Sequence, residues 1–378
     1  MDILISGGAG FIGSQLALKL IALGHHVTVL DSLSSQVHGS DAETDSYLFG
    51  QIRDHVTFVQ GDVTSRTDWE QCLQGKDAVV HLAAETGTGQ SMYQIARYTE
   101  TNVGGTALLL DVLTNWSERT VKKVVLASSR AVYGEGKYLT ADGRAVYPLS
   151  RSKLQLDRGE FEVSLDGVSG PLTRVATDEA AKLHPTSVYG LTKLQQEQLI
   201  TMVCETIGIK PVILRYQNVY GPGQSLLNPY TGILSIFSTL IRRGREINIF
   251  EDGQESRDFV YIDDVVDATI LALTKPSTDN HHILNVGSGV ATSVQVVAET
   301  LMKYFDREVP LNISGNYRLG DIRHNVADIT RAAKLGFAPK VTFEQGIKRF
   351  VEWVEGQQDR ENGFEQSLNE MAERGLFK

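Results

Sequence analysis

Cysteine is almost missing from this chain of 378 residues, occurring only as Cys72 and Cys204. The two lie far apart with no CxxC spacing and no histidine-rich companion, so they support neither a disulfide framework nor a zinc site, and no metal is expected. A reducing compartment, the cytoplasm, is the expectation. Excess positive charge is missing as well: the formal net charge is −10. The longest basic cluster is Arg242-Arg243-Gly244-Arg245, which excludes nucleic acid as a partner, because phosphate neutralisation needs a dense Lys/Arg face. No apolar run reaches the roughly 18 residues that span a bilayer, so no membrane segment is expected. Met1-Asp2 leads straight into Ile3-Leu4-Ile5, so no basic leader region is expected. Internal repeats and low-complexity tracts are also missing.

What is present is an ordinary globular composition, 42% hydrophobic and 22% charged, on a chain long enough for more than one core. Short apolar runs at 2–6, 26–31, 56–59, 78–82, 122–128 and 211–215 alternate with stretches of helical period. Such alternation predicts βαβ units and an α/β fold, a Rossmann-type doubly wound parallel sheet with ligands beyond the carboxyl ends of its strands. Residues 1–218 are predicted to form this dinucleotide-binding domain. Residues 137–184, rich in Gly, Asp, Ser and Arg, read as a surface insertion in it. After Gly221-Pro222 the rhythm becomes irregular, with helical segments near 231–243, 263–274, 292–305 and 343–355. Residues 219–378 are therefore expected to form mainly a smaller α+β substrate lobe, with 255–280 returning to the first domain and the charged tail after Trp353 partly mobile.

Gly7-Gly8-Ala9-Gly10-Phe11-Ile12-Gly13 follows the first strand and opens a segment whose Leu16, Leu20 and Leu23 share a helical face. Gly7 and Gly10 permit a tight turn and close approach of backbone to a pyrophosphate, Gly13 permits close helix packing, and the helix N-terminus at Phe11 and Ile12 offers free N–H groups. Asp31 ends the second strand 18 residues after Gly13 (31 − 13), close to the spacing of an acid that binds a ribose 2′-hydroxyl. With Ser32-Leu33-Ser34-Ser35 behind it and no arginine for a 2′-phosphate, it favours NAD. Asp62-Val63 and Leu82-Ala83-Ala84, after the third and fourth strands, mark the path of adenine and the second phosphate.

Tyr189 and Lys193 stand four residues apart, on one face of a helix. A phenol with an ordinary pKa of about 10 becomes a usable base when a nearby ammonium and a positive nicotinamide favour phenolate. Ser129 ends the apolar strand Lys123 to Ala127, where its hydroxyl can donate to a developing oxyanion while Tyr189 takes the proton.

These motifs occur in a set order together with Asn102-Val103-Gly104-Gly105-Thr106, Arg215 to Pro222 and Arg257-Asp258-Phe259-Val260. In that order the chain, over roughly residues 2–355, resembles extended short-chain dehydrogenases/reductases of the NAD-dependent sugar epimerase/dehydratase family. The resemblance implies a nucleotide-diphosphate sugar as substrate, with Ser129, Tyr189 and Lys193 catalytic. It also implies that Asn102 supports the active-site helix and cofactor, that Asn218 touches the sugar diphosphate, and that Arg257 and Arg323 clamp the diphosphate or nucleoside. A homodimer built on helices near 92–115 and 189–206 is a further family expectation. Dehydratases of the family place Asp-Glu directly after the active-site hydroxyl, where this chain has Arg130 and Ala131. Without that acid pair 4-epimerisation is favoured over 4,6-dehydration; another family reaction of an NAD-dependent sugar-nucleotide oxidoreductase, such as dehydration or net oxidation with Glu85 or Glu135 replacing the acid pair, and a non-catalytic NAD-binding regulator are the alternatives. Gln90 to Tyr98, Asn228-Pro229-Tyr230-Thr231-Gly232 and Phe250 to Gln254 resemble segments of the branch acting on dTDP-L-rhamnose, which implies Asn228 and Tyr230 at the substrate. Glu85-Thr86 falls where the sugar C4 or C5 would rest, Glu85 as a positioning carboxylate more than an acid/base group.

Overall fold

The computed structural model describes every residue except 227, 229–231, 276–281 and 359–363. Its centre is a parallel sheet of seven strands: β1 (Asp2–Ser6), β2 (His26–Asp31), β3 (Thr57–Gln60), β4 (Ala78–His81), β5 (Lys123–Ser129), then Lys210–Tyr216 and Ile283–Val286. In space they run Ile283–Val286, Lys210–Tyr216, β5, β4, β1, β2, β3. The order reverses between β1 and β4, which is the switch point where an α/β sheet opens its ligand crevice.

Consecutive apolar residues within each strand feed two cores. Ile3, Ile5, Val27, Val29, Val80 and Val125 pack on one face, against the helices Phe11–Ala22 and Ile262–Thr274. Leu4, Leu30, Val79, Val124 and Leu126 pack on the other, with Trp69, Leu109, Leu113 and Ile200 from the helices Arg66–Cys72, Gly105–Asn115 and Val188–Thr206. Burial on both faces is why the strands read as unbroken apolar runs. Among the described residues no helix is long and apolar enough to cross a membrane.

The return to the first lobe runs further than 255–280. Helix Ile262–Thr274 lies on Phe11–Ala22, where Lys19 pairs with Asp267, and Ile283–Val286 becomes the edge strand beside Lys210–Tyr216. Ser256–Tyr261 stays in a small sheet with Asn218–Tyr220 and Ala291–Ser293. Around it pack the helices Ile233–Arg242, Val294–Phe305 and Phe343–Glu355, the last begun by a capping box of Thr342 and Gln345.

Two further segments are tied to the body of the protein. The insertion at 137–184 lies on the surface with most of its residues exposed, and it is docked to the body at both ends of an ion-pair cluster. Its Tyr138–Leu139 strand pairs with Ala145–Val146 and Thr173–Arg174, and its Arg151, 7% exposed, donates at 2.8 Å to Glu251 in the part of the chain after Gly221. The tail after Trp353 is folded onto the body in its described part. Met371 is buried, Glu370 accepts from the Tyr93 hydroxyl at 3.1 Å, and Lys378 exchanges backbone hydrogen bonds of 2.9 and 3.1 Å with Tyr317.

Candidate functional site

At the crevice, the glycine turn is shaped for a close approach. Gly7 has φ +71°, and a Cβ there would lie 2.6 Å from the Ala83 nitrogen; one on Gly13 would lie 2.4 Å from the Gly7 carbonyl oxygen. Gly10 precedes helix Phe11–Ala22, and no side chain caps that end. The first-turn amides of Phe11 and Ile12 thus keep the free N–H character that suits a phosphate. The opposite wall is Leu82-Ala83, whose amides donate to the Ser6 carbonyl at 3.0 and 2.9 Å, with Ala84 following.

Asp31 is held by that same turn. Its Oδ2 accepts from the Ala9 amide at 3.0 Å and its Oδ1 from the Leu33 amide at 2.9 Å. Ser32 is exposed beside it. Buried behind the carboxylate is His38, with Nε2 3.7 Å from Oδ1. Burial lowers the His38 pKa, with Asp31 opposing, so the ring is neutral at pH 7. His38 was not legible as part of this site, because nothing local marks a histidine seven residues past a strand. Asp62 is exposed and accepts from the Thr64 amide and hydroxyl, both at 2.8 Å, while the Val63 carbonyl accepts from the Trp69 indole at 2.8 Å.

Ser129 ends β5 and accepts the Ala131 amide at 3.2 Å, and its hydroxyl is near enough to the Tyr189 phenol to lower its pKa. Tyr189 lies in the first turn of helix Val188–Thr206, capped by Ser187, and its amide donates to Ser91 Oγ at 3.0 Å. Burial raises the phenol's pKa; the Ser129 hydroxyl and then the Arg130 charge pull it down. This differs from the sequence expectation, which gave that pull to Lys193. The Lys193 ammonium sits 6.0 Å from the Tyr189 ring centre, donates to the Ala127 carbonyl at 2.9 Å, and is pushed down to about 7 by burial, with Glu197 opposing. Glu197, one turn further along the helix, is bridged by Arg215 at 2.7 and 2.9 Å and by the Ser128 hydroxyl. The i, i+4 spacing of Lys193 and Glu197 was the signal that could have revealed it.

Asn102 is fully buried and ties two pieces of the site together. Its amide donates to the Glu85 carbonyl at 3.1 Å and to Thr192 Oγ1 at 3.0 Å, and its oxygen accepts the Glu85 amide at 2.8 Å. The Glu85 carboxylate takes two bonds from Arg97, at 2.7 and 2.8 Å, the arrangement of a positioning group more than of a free acid. Thr86 is exposed, and its carbonyl accepts from the Tyr98 hydroxyl.

Of the substrate candidates, Asn218 accepts from Arg130 Nε at 2.7 Å. Asn228 is buried, its amide donating to Ser225 Oγ at 3.1 Å, and Tyr230 lies outside the described residues. Arg257 donates to the carbonyls of Ser256, Ile322 and Arg323 at 2.9, 2.8 and 3.0 Å. Among the described residues it forms no ion pair.

Arg323 is not placed to clamp a substrate. Its side chain is 1% exposed and every guanidinium nitrogen is bonded to a carboxylate: Nε and Nη2 to Glu162 at 2.9 and 2.6 Å, Nη1 to Glu251 and Asp252 at 3.0 and 2.7 Å, and Nη2 also to Asp252 at 2.8 Å. A guanidinium has five N–H donors, and these five bonds use them. Arg318, like Arg257, forms no ion pair among the described residues. It lies 5.0 Å over the Phe250 ring with an unbonded Nε, and sequence reasoning passed it over.

Glu135 and Glu255 share that acidic cluster, and both are buried with one unbonded carboxylate oxygen. Burial first, then repulsion from Glu251, raises Glu255 to about 7. An acid raised above its unfolded value near 4.5 favours folding while protonated, and that contribution is lost as pH rises from about 4.5 through 7. Glu255→Gln is therefore expected to match the parent at pH 4.5 and exceed it at pH 8, by at most about 3 kcal/mol for a shift of this size. Thermal melts of both proteins across that range check it, and a variant less stable at pH 8 contradicts it.

Comparison with known proteins agrees with this geometry. The model described as "NAD dependent epimerase/dehydratase family" matches residues 3–158 and 163–287. The dTDP-L-rhamnose 4-epimerase of Burkholderia thailandensis is 38% identical over 95% of this chain and 96% of its own. A crystal structure of the UDP-glucose 4-epimerase of Thermotoga maritima with UDP-glucose superposes with a TM-score of 0.75 and 31% identity, covering 94% of this chain and 99% of that one. The UDP-glucuronic acid 4-epimerase of Bacillus cereus, in complex with UDP-glucuronic acid and NAD, gives 0.75 and 26% over 94% and 99%.

Proposed function

The chain belongs to the NAD dependent epimerase/dehydratase family, and from that premise we propose that it is a nucleotide-sugar 4-epimerase, an isomerase that works with bound NAD on a dTDP-L-rhamnose-like substrate. The observation that carries the reading is the meeting of Ser129, at the end of β5, with the Tyr189 phenol in the first turn of its helix, followed by Arg130 and Ala131 where an elimination would need acids. Glu85, the other acid beside the site, is bridged to Arg97.

The cradle fits NAD: a turn that side chains would fill, an uncapped helix start, and a carboxylate at the end of β2 that would repel a 2′-phosphate. When bound, NAD supplies a reversible acceptor for the hydride on C4. Tyr189 removes the C4 hydroxyl proton, and Ser129 donates to the oxygen as it becomes a carbonyl. The 4-keto sugar then turns its other face, and Tyr189 returns the proton. Asn102 holds the β4 loop to Thr192, between the two catalytic members of the helix. Incubation with dTDP-L-rhamnose and related nucleotide sugars, followed by product NMR, tests the reading. Inversion at C4 is expected; a 4-keto-6-deoxy product, or no turnover on any of them, overturns it.

The proposal includes a homodimer. Leu191 and Met202, 47% and 67% exposed, share one side of helix Val188–Thr206, and Ile95 is 54% exposed nearby in sequence to the second dimer helix. Apolar side chains at that exposure on paired helices suit a helix-to-helix interface. Light scattering is expected to give twice the chain mass, and a monomer at working concentration removes the dimer from the proposal. The cytoplasm belongs to the same reading, which both buried free thiols, Cys72 and Cys204, support.

A further inference from the structure

The end of the chain takes no part in the proposed chemistry, yet it is fastened to both walls beside it. On the dinucleotide side it meets the helix Thr88–Ser91 and the residues that follow. A Cβ on Gly89 would lie 2.9 Å from Met371 Sδ, the Tyr93 hydroxyl donates to Glu370 at 3.1 Å, and the Arg374 guanidinium lies 4.5 Å over the Tyr93 ring. On the substrate side the chain end pairs antiparallel with residues 317–319. Tyr317 and Lys378 exchange backbone hydrogen bonds, the Leu319 amide donates to the Leu376 carbonyl at 3.0 Å, and the Phe377 ring centre lies 5.1 Å from that of Phe250. Both anchor points reach the start of the helix that carries Tyr189. Ser91 Oγ accepts the Tyr189 amide, and the Gly320 carbonyl accepts from Thr186 Oγ1 at 2.9 Å. The stretch from Met371 to Lys378 thus links one lobe to the other at the edge of the crevice where the phenol sits.

The fastening is light beside the sheet it borders. Among the described side chains of residues 364–378 only Ser367 and Met371 are buried, and a segment with so little buried apolar surface opens locally at far lower cost than a core strand. Epimerisation gives such a segment a task. The 4-keto sugar must leave its first pose to present its other face, so contacts that grip the ring cannot be what retains it. A keto sugar that escapes leaves its C4 hydride behind, and the protein, left with a reduced cofactor, cannot begin another turn. Resting on the nucleotide-sugar reading above, we propose that residues 364–378 form a strap across the substrate crevice, released to admit the nucleotide sugar and fastened while the keto sugar turns over. The structure shows it fastened. A strap anchored on both lobes closes the exit without touching the ring, which leaves the sugar free to rotate.

The test locks the strap in the NAD-loaded protein by combining Gly89→Cys with Met371→Cys, positions whose side chains meet; the chain's own thiols, Cys72 and Cys204, are buried. Oxidation with glutathione disulfide is expected to abolish turnover of the nucleotide sugar, and dithiothreitol to restore it. Stopped-flow association of the nucleotide sugar should slow by about tenfold or more in the oxidised form, because binding then waits on an opening that the crosslink forbids. Nucleotide sugar loaded before oxidation should stay bound through gel filtration; its loss would mean that the crosslink has deformed the site, and overturns the strap. Equal turnover in the oxidised and reduced forms overturns it too. A second variant, ending at residue 363, removes the strap altogether. It is expected to release 4-keto sugar into solution, seen by NMR, and to stop with its cofactor reduced. A truncated protein that melts lower but binds and turns over like the parent makes the tail a brace and overturns the proposal, and the lock remains decisive if the truncated chain does not fold. A parent that neither binds nor converts any nucleotide sugar overturns the nucleotide-sugar reading together with the strap, whereas a working parent with an ineffective lock overturns the strap alone.

Discussion

Tyr189→Phe is expected to lose at least about a thousandfold in turnover, within the span attributed to a positioned general base, while retaining its NAD. Only the oxygen is removed. The ring keeps its place beside Lys193, the backbone amide keeps its bond to Ser91, and Lys193 keeps the Ala127 carbonyl. The residues assigned to the cofactor at Gly7, Gly13 and Asp31 are untouched, so cofactor content should be unchanged. Product NMR gives the turnover, and absorbance of the nucleotide released on denaturation gives the NAD content. Turnover near that of the parent would remove Tyr189 from its role. Loss of NAD together with turnover would show that the phenol holds the cofactor and would leave the base unidentified.

Arg323→Met is expected to destabilise the protein by about 3 kcal/mol, the lower end of the cost of breaking a buried ion pair. The lower end applies because two of the three carboxylates have other recourse. Glu162 and Asp252 are 68% and 45% exposed and can rehydrate, and Glu251, 3% exposed, keeps its bond to Arg151. Methionine fills much of the volume of the arginine stem. Urea unfolding at pH 7 reads the effect, and the KM for the nucleotide sugar should move little in protein that remains folded. An unchanged unfolding midpoint with a KM raised about a hundredfold, the loss expected of a charged contact to phosphate, would restore the clamp that the resemblance implied. The same cage explains why the 137–184 insertion is docked: Arg151 and Glu162, both inside it, carry its half of the pairing.

The parallel sheet was legible because its evidence is local. Runs such as Ile3-Leu4-Ile5 and Val124-Val125-Leu126 are buried on both faces and so appear unbroken in the chain. The strand Ile283–Val286 was missed; it is four residues long and includes the buried Asn285, so its apolar signal is short and interrupted. The glycine turn, Asp31, Ser129 and the Tyr189–Lys193 pair were legible for a related reason, since each depends on a strand-to-turn junction or one helical turn. The partners of the charged groups were not. Lys193 was expected to govern the phenol, yet its ammonium is turned to the Ala127 carbonyl, 66 residues away in the chain.

The sequence by itself determined a Rossmann-type sheet, a dinucleotide cradle and a hydroxyl–phenol–ammonium set at its carboxyl edge, because strand period, glycine geometry and i, i+4 spacing act over a few residues. Only the tertiary structure decided what each arginine does. Arg323 meets Glu162 across 161 positions and becomes an internal brace, while Arg130 meets the neutral Asn218 across 88 and forms no ion pair among the described residues. In the chain the two are the same residue. A cation's role is set by whether a carboxylate stands within reach, and folding alone settles that.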